Sequence, residues 1–352
     1  MSPRTDEGSR TKRDERDGTL IIRASSVGDV VLTEPVVAAV RRAWPSSRIG
    51  FVVKDRYRDL VRGNLDIDTV HALADSSSAE LARISAEIRG AGYARVVDLH
   101  ANARSRFLAA RSGARARTTY RKRDALDWVR VRVLHGTYRA RRRIVERYLD
   151  ALAPLGVPNG YERPRFHLLP GSEETARRIL ADAGFGRAPI AAVVPGSLWE
   201  TKRWPAERFG EVARRLVSEL GMDVLVLGSE EERALCGRVS GGERAVNLAG
   251  KVGLGDMAGL LNEANLFVGN DSGPTHVAMA LDTPTVAIFG PTDPNQFDFR
   301  GHALVYAGLD CSACSFYGGR RCRRRGWDCM LRIGVEDVIT AASELLERRR
   351  GA

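Results

Sequence analysis

The feature that most constrains the fold of this chain is an alternation of short apolar strands with helical stretches, which runs through the sequence twice. Strands are predicted at 20–24, 48–53, 95–99, 190–194, 224–227, 266–268 and 285–289. Helices are predicted at 30–43, 79–90, 172–183, 205–220, 230–239, 255–264, 274–281 and 335–349, with Ser172 as an N-cap. Strands that alternate with helices form parallel sheets covered on both faces, so the sequence predicts an α/β protein with two doubly wound, Rossmann-like domains.

The length of 352 residues is about right for two domains. Seven Pro and Gly residues at 154–171 indicate a break between them. We predict a disordered tail at 1–18, an N-terminal domain at 19–165, a linker region at 166–187, a C-terminal domain at 188–334 and a last helix at 335–352. Two such domains facing each other would place their strand ends, and their ligands, in the cleft between them.

The sequence shows no transmembrane segment, because no apolar run approaches the roughly 18–20 residues that a membrane helix needs. The first 18 residues hold five basic and five acidic groups and no apolar stretch, which is typical of a disordered tail rather than a signal peptide. We therefore expect a cytoplasmic protein.

The positive charge of the chain is concentrated in one segment. Residues 104–147 contain fourteen Arg and one Lys against three acidic residues, so this segment accounts for the whole net charge of +11. Such a patch attracts an anionic partner, whereas the alternative is a solvated helix face in an Arg-rich proteome. Few aromatic residues stand among these arginines and no nucleic-acid motif is evident, so nucleic acid is not the expected partner.

The strongest local motif is Gly-Asn-Asp-Ser-Gly-Pro-Thr-His at 269–276, which follows a strand and opens a helix. Asp271 or Ser272 can cap this helix. The free N–H groups of Ser272, Gly273 and Thr275 would then bind an anion, for which a nucleotide diphosphate is the natural candidate. An ordinary well-capped helix is the alternative.

A second motif, Pro-Gly-Ser-Leu-Trp-Glu-Thr-Lys-Arg-Trp-Pro at 195–205, also lies between a strand and a helix. Ser197 and Thr201 can bond phosphate oxygens, and Lys202 can reach a phosphate as a point charge. Lys202 is one of only five lysines in a chain with fifty arginines. The alternative is a surface lysine near a helix start.

A third motif, Ser-Ser-Val-Gly-Asp at 25–29, lies in the first predicted domain. Asp29 stands at a helix entrance, where a carboxylate could take a proton from an acceptor hydroxyl. An Asp that only complements the helix dipole is the alternative. The glycines do not fit G-x-G-x-x-G, so a dinucleotide fingerprint is not supported.

Taken together, the motifs resemble glycosyltransferase family 9, the ADP-heptose:lipopolysaccharide heptosyltransferases. The resemblance covers nearly the whole chain from residue 19 on. It is carried by 22–35, 63–68, 98–105, 195–205, 269–276 and 289–294. The cysteine pattern near the end is closest to the heptosyltransferase II-like branch, and His100-Ala101 departs from the Gln-Gly common in the family.

The resemblance implies a GT-B fold and inverting transfer of heptose from an ADP-heptose-type donor to an acidic lipopolysaccharide-core or related cell-envelope glycan. It implies Asp29 as the general base and Lys202 as the second catalytic residue. The implied donor contacts are Ser197, Thr201, Lys202, Glu230, Glu231, Lys251, Asp271, Ser272, Gly273, Thr275 and His276. The implied acceptor contacts are Ser26, Arg104 and Arg106.

The partners implied are a nucleotide-diphosphate sugar and an acidic glycolipid at the inner membrane surface, where the enzyme would be peripheral. No cofactor is required by this mechanism. Three alternatives remain: a GT-B transferase that uses another nucleotide sugar, a nucleotide-sugar epimerase, and an anion-binding protein without catalysis.

Four cysteines close to the end of the chain, Cys311, Cys314, Cys322 and Cys329, match the thiol count of a structural zinc or iron–sulfur site. The resemblance supplies the cysteines without implying a metal, and we expect reduced thiols here. Arginines at 320, 321 and 323–325 would lower the thiol pKa values or form a solvated loop.

Overall fold

The structure is a computed structural model that describes residues 18–122, 125–242, 244–323 and 326–351. Residues 1–17 of the predicted tail, and the arginines at 324 and 325, lie outside the described residues. No helix within these ranges is long and apolar enough to cross a membrane.

The elements alternate as predicted. The strands are β1 (Thr19–Ile22), β2 (Ile49–Lys54), β3 (Thr69–Leu73), β4 (Arg95–Asp98), β5 (Ala116–Thr119), β6 (Ile190–Val194), β7 (Asp223–Val226), β8 (Ala245–Asn247), β9 (Leu266–Asn270), β10 (Thr285–Phe289) and β11 (Ala303–Tyr306). The helices are α1 (Val27–Val31), α2 (Glu34–Ala43), α3 (Ser78–Ala91), α4 (Ala103–Arg111), α5 (Ala125–Arg132), α6 (Ile144–Leu149), α7 (Ser172–Asp182), α8 (Ala206–Ser218), α9 (Arg233–Val239), α10 (Leu254–Glu263), α11 (Gly273–Ala280), α12 (Asp328–Leu331) and α13 (Val335–Arg350).

The described residues form two compact units, one from 18–122 with 144–167 and the other from 125–143 with 168–351. In the first unit five parallel strands lie in the order β3-β2-β1-β4-β5. The central β1 is fully buried, because side chains cover both faces of a doubly wound sheet. The strand order reverses between β1 and β4, and the motifs at 25–29 and 98–105 follow these two strands. In doubly wound sheets, ligands bind at such a reversal.

The second unit has six parallel strands in the order β11-β10-β9-β6-β7-β8. Trp204 and Phe209 pack edge to face with ring centroids 5.0 Å apart in its core, and the Trp204 indole N–H donates to the Ile333 carbonyl at 3.1 Å. Here the strand order reverses between β6 and β9. The motifs at 195–205 and 269–276 begin at the carboxyl ends of these two strands.

Two local predictions were wrong. The single helix predicted at 30–43 is two helices, since Pro35 lies in the first turn of the second one and the Thr33 hydroxyl donates to the Val30 carbonyl at 2.6 Å. Ser172 is the first residue of α7 and not its cap, because Gly171 occupies that position with φ of 79°. In addition, the short strands β3, β5, β8 and β11, at or beside the sheet edges, were not predicted.

The segment 125–143 differs from the predicted organisation, in which the first domain ran without interruption from 19 to 165. It groups with the second unit. Val131 and Tyr138 are buried with Ala313 and Phe316, and the Tyr138 N–H donates to the Ala313 carbonyl at 3.2 Å. The basic stretch at 104–147 is therefore divided between the two units.

Candidate functional site

The site in the first unit is built around Asp29, the third residue of α1. The Ser26 backbone N–H and hydroxyl donate to Asp29 Oδ2 at 3.3 and 3.0 Å. On the other oxygen, Oδ1, Arg23 Nη2 lies 2.6 Å away and the Tyr148 hydroxyl donates at 3.3 Å. The carboxylate thus has a fixed orientation, yet its side chain remains 24% exposed.

Arg23 is itself held in place. Its Nη1 donates to the Leu99 carbonyl at 2.5 Å and its Nε to the Ser25 carbonyl at 2.9 Å. Burial alone would raise the pKa of Asp29, but the Arg23 charge and the bonds from Ser26 and Arg23 outweigh burial and hold that pKa below its ordinary value. Asp29 is therefore ionised at neutral pH.

The loop after β4 lies in the same unit, and the Asp98 carboxylate holds its conformation. Asp98 Oδ1 accepts the N–H groups of His100 and Ala101 at 3.0 and 2.8 Å, and Oδ2 accepts the Ser105 hydroxyl at 2.9 Å. Burial, followed by the charge of Arg23, lowers the pKa of His100 to about 4, so its imidazole is neutral at pH 7.

The predicted acceptor residues lie on these same elements. Ser26 is exposed at the N-cap of α1, and Arg104 and Arg106 are exposed on α4. Asn102 caps α4 by accepting the Ser105 N–H at 2.9 Å. The cap fixes the start of the helix that carries the two arginines.

The site in the second unit centres on an ion pair between Lys202 and Asp271. Lys202 Nζ lies 2.6 Å from Asp271 Oδ2, and the two side chains are 12% and 4% exposed. The Thr292 hydroxyl donates to the same Oδ2 at 2.5 Å, and His276 Nε2 lies 3.7 Å from Oδ1. Burial would raise the pKa of Asp271, but Lys202 and His276 outweigh it, so this pKa lies well below the ordinary value.

This geometry refines the place of Asp271 among the predicted donor contacts. Its backbone N–H donates to the Ile288 carbonyl at 2.9 Å, and its carboxylate is ionised. Neither group can donate a hydrogen bond to a phosphate. Asp271 instead positions Lys202 and His276, which can.

Helix α11 starts at Gly273, with Ser272 at the N-cap position. The first N–H groups of a helix have no partner within the helix and favour an anion. The Thr275 hydroxyl donates to the Asn270 carbonyl and lies 3.4 Å from the Ser272 hydroxyl. Ser272, Gly273 and Thr275 thus stand where the sequence predicted them, at the amino end of a helix that follows β9.

The two motifs of this unit are joined by Asn270. Its amide donates to the Pro195 carbonyl at 2.7 Å and accepts the Trp204 N–H at 3.0 Å, which brings 195–205 beside 269–276. Thr201 forms two hydrogen bonds with the loop that contains Gly319. Its N–H donates to the Gly319 carbonyl at 3.1 Å, and its hydroxyl accepts the Gly319 N–H at 2.8 Å. Ser197 is buried in the same motif.

The predicted ribose and adenine contacts follow β7 and β8. Glu230 and Glu231 are exposed in a short 3-10 helix, and Glu230 pairs with Arg233 at 2.9 Å. Glu230 also packs over Gly250, whose φ is +72°, next to the exposed Lys251. The sequence did not single out Glu232, although its carboxylate lies over Gly196 in the 195–205 motif.

Other residues that build the site also escaped prediction: Arg23, Tyr148, Asn270 and Thr292. Arg23, Asn270 and Thr292 lie inside motifs that carry the family resemblance, and this position could have indicated a role for them. Tyr148 carried no such signal, because α6 lies far from Asp29 along the chain.

The four cysteines near the end of the chain form no disulfide, and Cys329 is buried. Burial, followed by the neighbouring thiols, raises the pKa of Cys329 to about 12, and burial also raises that of Cys314. The suggested effect of the arginines is seen at Cys314, whose pKa Arg323 lowers, but burial outweighs it and the net shift is upward. Among the described residues, no group of three or more His, Cys, Asp or Glu side chains is arranged to hold a metal ion.

Comparison with known proteins gives the family. A model of glycosyltransferase family 9 (heptosyltransferase) matches residues 81–316. Lipopolysaccharide heptosyltransferase 1 of Pseudomonas aeruginosa is 28% identical over 322 residues, which cover 84% of this chain and 85% of the relative. Since this relative is a type 1 enzyme, the predicted heptosyltransferase II-like branch stays a prediction.

Two solved structures have a similar fold. The structure of E. coli ADP-heptose LPS heptosyltransferase II has a TM-score of 0.75 at 19% identity and covers 95% of this chain and 99% of its own. E. coli heptosyltransferase WaaC with ADP-2-deoxy-2-fluoro heptose has a TM-score of 0.68 at 20% identity, covering 93% and 99%. With the two parallel sheets, they confirm the predicted α/β GT-B fold. The chain belongs to glycosyltransferase family 9, the heptosyltransferase family, and is a glycosyltransferase.

Proposed function

We propose that this enzyme transfers heptose from an ADP-heptose-type donor to an acidic glycan of the lipopolysaccharide core or a related cell-envelope acceptor, with inversion at the anomeric carbon. The observation that carries the proposal is the division of charge between the two units. An ionised carboxylate stands where the first sheet reverses its strand order, and a lysine beside a helix start stands where the second sheet does.

The donor side follows from the second unit. Lys202, His276 and the first N–H groups of α11 present positive charge and donors to a diphosphate. The similar E. coli enzyme was solved with ADP-2-deoxy-2-fluoro heptose, which supports an ADP-linked heptose as the donor. Glu230, Glu231 or the neighbouring Glu232 would accept ribose hydroxyls, and the backbone near Lys251 would meet the adenine.

The chemistry is a single displacement. As an acceptor hydroxyl oxygen bonds to the anomeric carbon, its proton passes to Asp29, and the bond from that carbon to the diphosphate oxygen breaks with its electron pair. Asp29 Oδ2 is the oxygen for this proton, because Oδ1 faces the Arg23 cation, whereas Oδ2 accepts hydrogen bonds only from the neutral N–H and hydroxyl of Ser26. Lys202 and the helix N–H groups stabilise the negative charge on the departing diphosphate. These groups supply the positive charge that the leaving group needs, so we propose no metal cofactor.

The acceptor side follows from the first unit. Arg104 and Arg106 are exposed on the helix that follows β4, and Ser26 is exposed beside Asp29. Guanidinium groups bind the carboxylates and phosphates of acidic sugars. We propose that the enzyme acts in the cytoplasm on a glycolipid at the inner membrane surface.

The test is an assay of the purified chain with ADP-, UDP- and GDP-linked sugars and a soluble, deacylated lipopolysaccharide-core acceptor. We expect turnover with ADP-heptose, and an NMR spectrum of the product with the anomeric configuration opposite to the donor's. Release of an altered sugar without acceptor would indicate an epimerase, and equal use of UDP-sugars would contradict the proposed donor. A retained configuration would exclude single displacement.

A further inference from the structure

The segment 125–143 carries a cluster of exposed apolar side chains. Leu126, Trp128, Val129, Val133 and Leu134 are 83%, 52%, 40%, 55% and 71% exposed. Helices of soluble proteins normally turn polar residues to water, so adjacent large apolar residues on a surface indicate an interaction site. We refer to these five residues as the apolar patch.

The patch is outward-facing because the inward side of the segment is already occupied. Val131 is 1% exposed and packs with Tyr138, Ala313 and Phe316, and Tyr138 and Phe316 have ring centroids 4.5 Å apart. Arg323 Nη1 donates to the Val131 carbonyl at 2.6 Å, and the Gly136 N–H donates to the Arg130 carbonyl at 2.8 Å. The contacts with Ala313, Phe316 and Arg323 fix the segment to the second unit, while the patch stays exposed.

Arginines surround the patch. Arg130 and Arg132 lie on the same helix, and Arg139 and Arg141 follow it, all four exposed. Within 125–143 the sequence has six arginines and a single acidic residue, Asp127. A second copy of this chain would bring like charges together on this surface, so self-association is disfavoured.

We propose that the 125–143 segment is a docking surface for a bilayer containing anionic lipids. Trp and Leu side chains interspersed with Arg match the bilayer interface, where the apolar groups enter the headgroup region and the guanidinium groups meet lipid phosphates. The inference deepens the proposed function, because a glycolipid acceptor lies in such a surface. Two parts of the 104–147 stretch would then bind different ligands. Arg104 and Arg106 in the first unit bind the acceptor sugars, and the 125–143 segment in the second unit binds the lipid surface.

The experiment is co-sedimentation of the full chain with vesicles of phosphatidylcholine alone or mixed with phosphatidylglycerol. We expect binding to the mixed vesicles, and weak binding to phosphatidylcholine. The double variant Trp128→Ser with Leu134→Ser should lose about tenfold or more of the vesicle affinity. The double variant Arg132→Gln with Arg141→Gln should lose binding to anionic vesicles in particular.

Matched controls remove the same groups elsewhere. Leu65→Ser with Leu331→Ser removes two exposed leucines, and Arg178→Gln with Arg238→Gln removes two exposed arginines. Both controls should bind vesicles as the wild type does. Equal losses in controls and patch variants, or no wild-type binding to anionic vesicles, would overturn the proposal.

A separate readout keeps this inference apart from the proposed function. ADP binding and turnover on the soluble acceptor should be unchanged in the Trp128 and Leu134 variant, which also shows that it folds. Loss of vesicle binding with intact turnover supports the docking surface, whereas vesicle binding without any heptose transfer would contradict only the proposed function.

Discussion

Arg23 Nη2 lies 2.6 Å from Asp29 Oδ1, so the carboxylate proposed as the general base carries a fixed cation as its neighbour. The pair keeps Asp29 ionised and directs Oδ2 away from Arg23. It also makes the carboxylate a weaker base than a free Asp, and under the proposed mechanism the fixed orientation of the carboxylate would offset this loss.

Replacement of Asp29 by Asn should lower kcat by about 10²–10⁴-fold, because the amide cannot accept the hydroxyl proton. The affinity for ADP should change little, since the proposed donor contacts lie in the second unit. Steady-state kinetics and calorimetric ADP titration measure the two quantities. An Asn variant with wild-type kcat would remove Asp29 from the mechanism.

The pH profile of the enzyme tests the role of Arg23. A lowered pKa keeps Asp29 in its active, ionised form as the pH falls, so the acid limb of kcat/KM should lie below the ordinary range of an aspartate. Arg23→Met removes the charge that lowers this pKa, so the limb should move to higher pH. Arg23→Lys is the control, since it keeps a cation and should move the limb less. An unmoved limb in the Met variant would show that another group titrates.

Lys202→Ala should weaken ADP binding by about tenfold or more, and AMP binding less, because a point charge on the distal phosphate is lost. The single change also leaves the buried Asp271 without its cation, which should cost about 3 kcal/mol of unfolding free energy. Lys202→Ala with Asp271→Asn should recover stability but not ADP affinity. Equal losses for ADP and AMP would mean that Lys202 does not contact the distal phosphate.

Neutralising Arg104 and Arg106 together to Gln should raise the KM for the acidic acceptor and leave the ADP affinity unchanged. Salt should weaken acceptor use in the wild type, because attraction between exposed charges is screened over about 8–10 Å at ordinary ionic strength. Arg178→Gln with Arg238→Gln removes the same charge from the second unit and should leave this KM unaltered. A KM that responds to neither substitution nor salt would exclude an acceptor role for the two arginines.

Gly259 in α10 packs directly on α7, and a Cβ at this position would lie 2.7 Å from the Ser172 carbonyl oxygen. Gly259→Ala should therefore reduce the unfolding free energy by about 1–3 kcal/mol, because backbone atoms must move. Gly237→Ala in α9 is the contrasting variant, since the nearest atom lies 3.8 Å away. It should be neutral or stabilising by up to about 1 kcal/mol. Chemical denaturation of both variants checks the difference.

The sequence predicted the central strands well and the edges poorly. Strands β6 and β10 are buried along their whole length, and apart from Thr285 they consist of apolar residues. By contrast, the sequences of β5 (Ala-Arg-Thr-Thr) and β8 (Ala-Val-Asn) resemble those of loops. The motifs that follow β1, β4, β6 and β9 were also recognisable, because each combines an apolar strand with the residues of the loop directly after it.

What could not be predicted are the partners that these motif residues meet. Asp29 was visible as a helix-entrance carboxylate, but Tyr148 reaches it from a helix more than a hundred residues later. Asp271 was interpreted as part of a phosphate cradle because it stands beside the α11 start, and only the folded chain brings Lys202 and Thr292 to its carboxylate. Pairings of this kind depend on the order of strands in the sheet, which local patterns do not encode.

The buried carboxylate of Asp271 has a consequence for the end of the catalytic cycle. Under the proposed function, Lys202 faces ADP once the sugar has left, and a lone buried ammonium would hold that product tightly. The Asp271 carboxylate lies 2.6 Å from the ammonium, so Lys202 keeps a counter-ion when ADP departs. We therefore expect Asp271 to limit product inhibition by ADP, because the residue that positions Lys202 for the leaving group would also make ADP easier to release before the next donor binds.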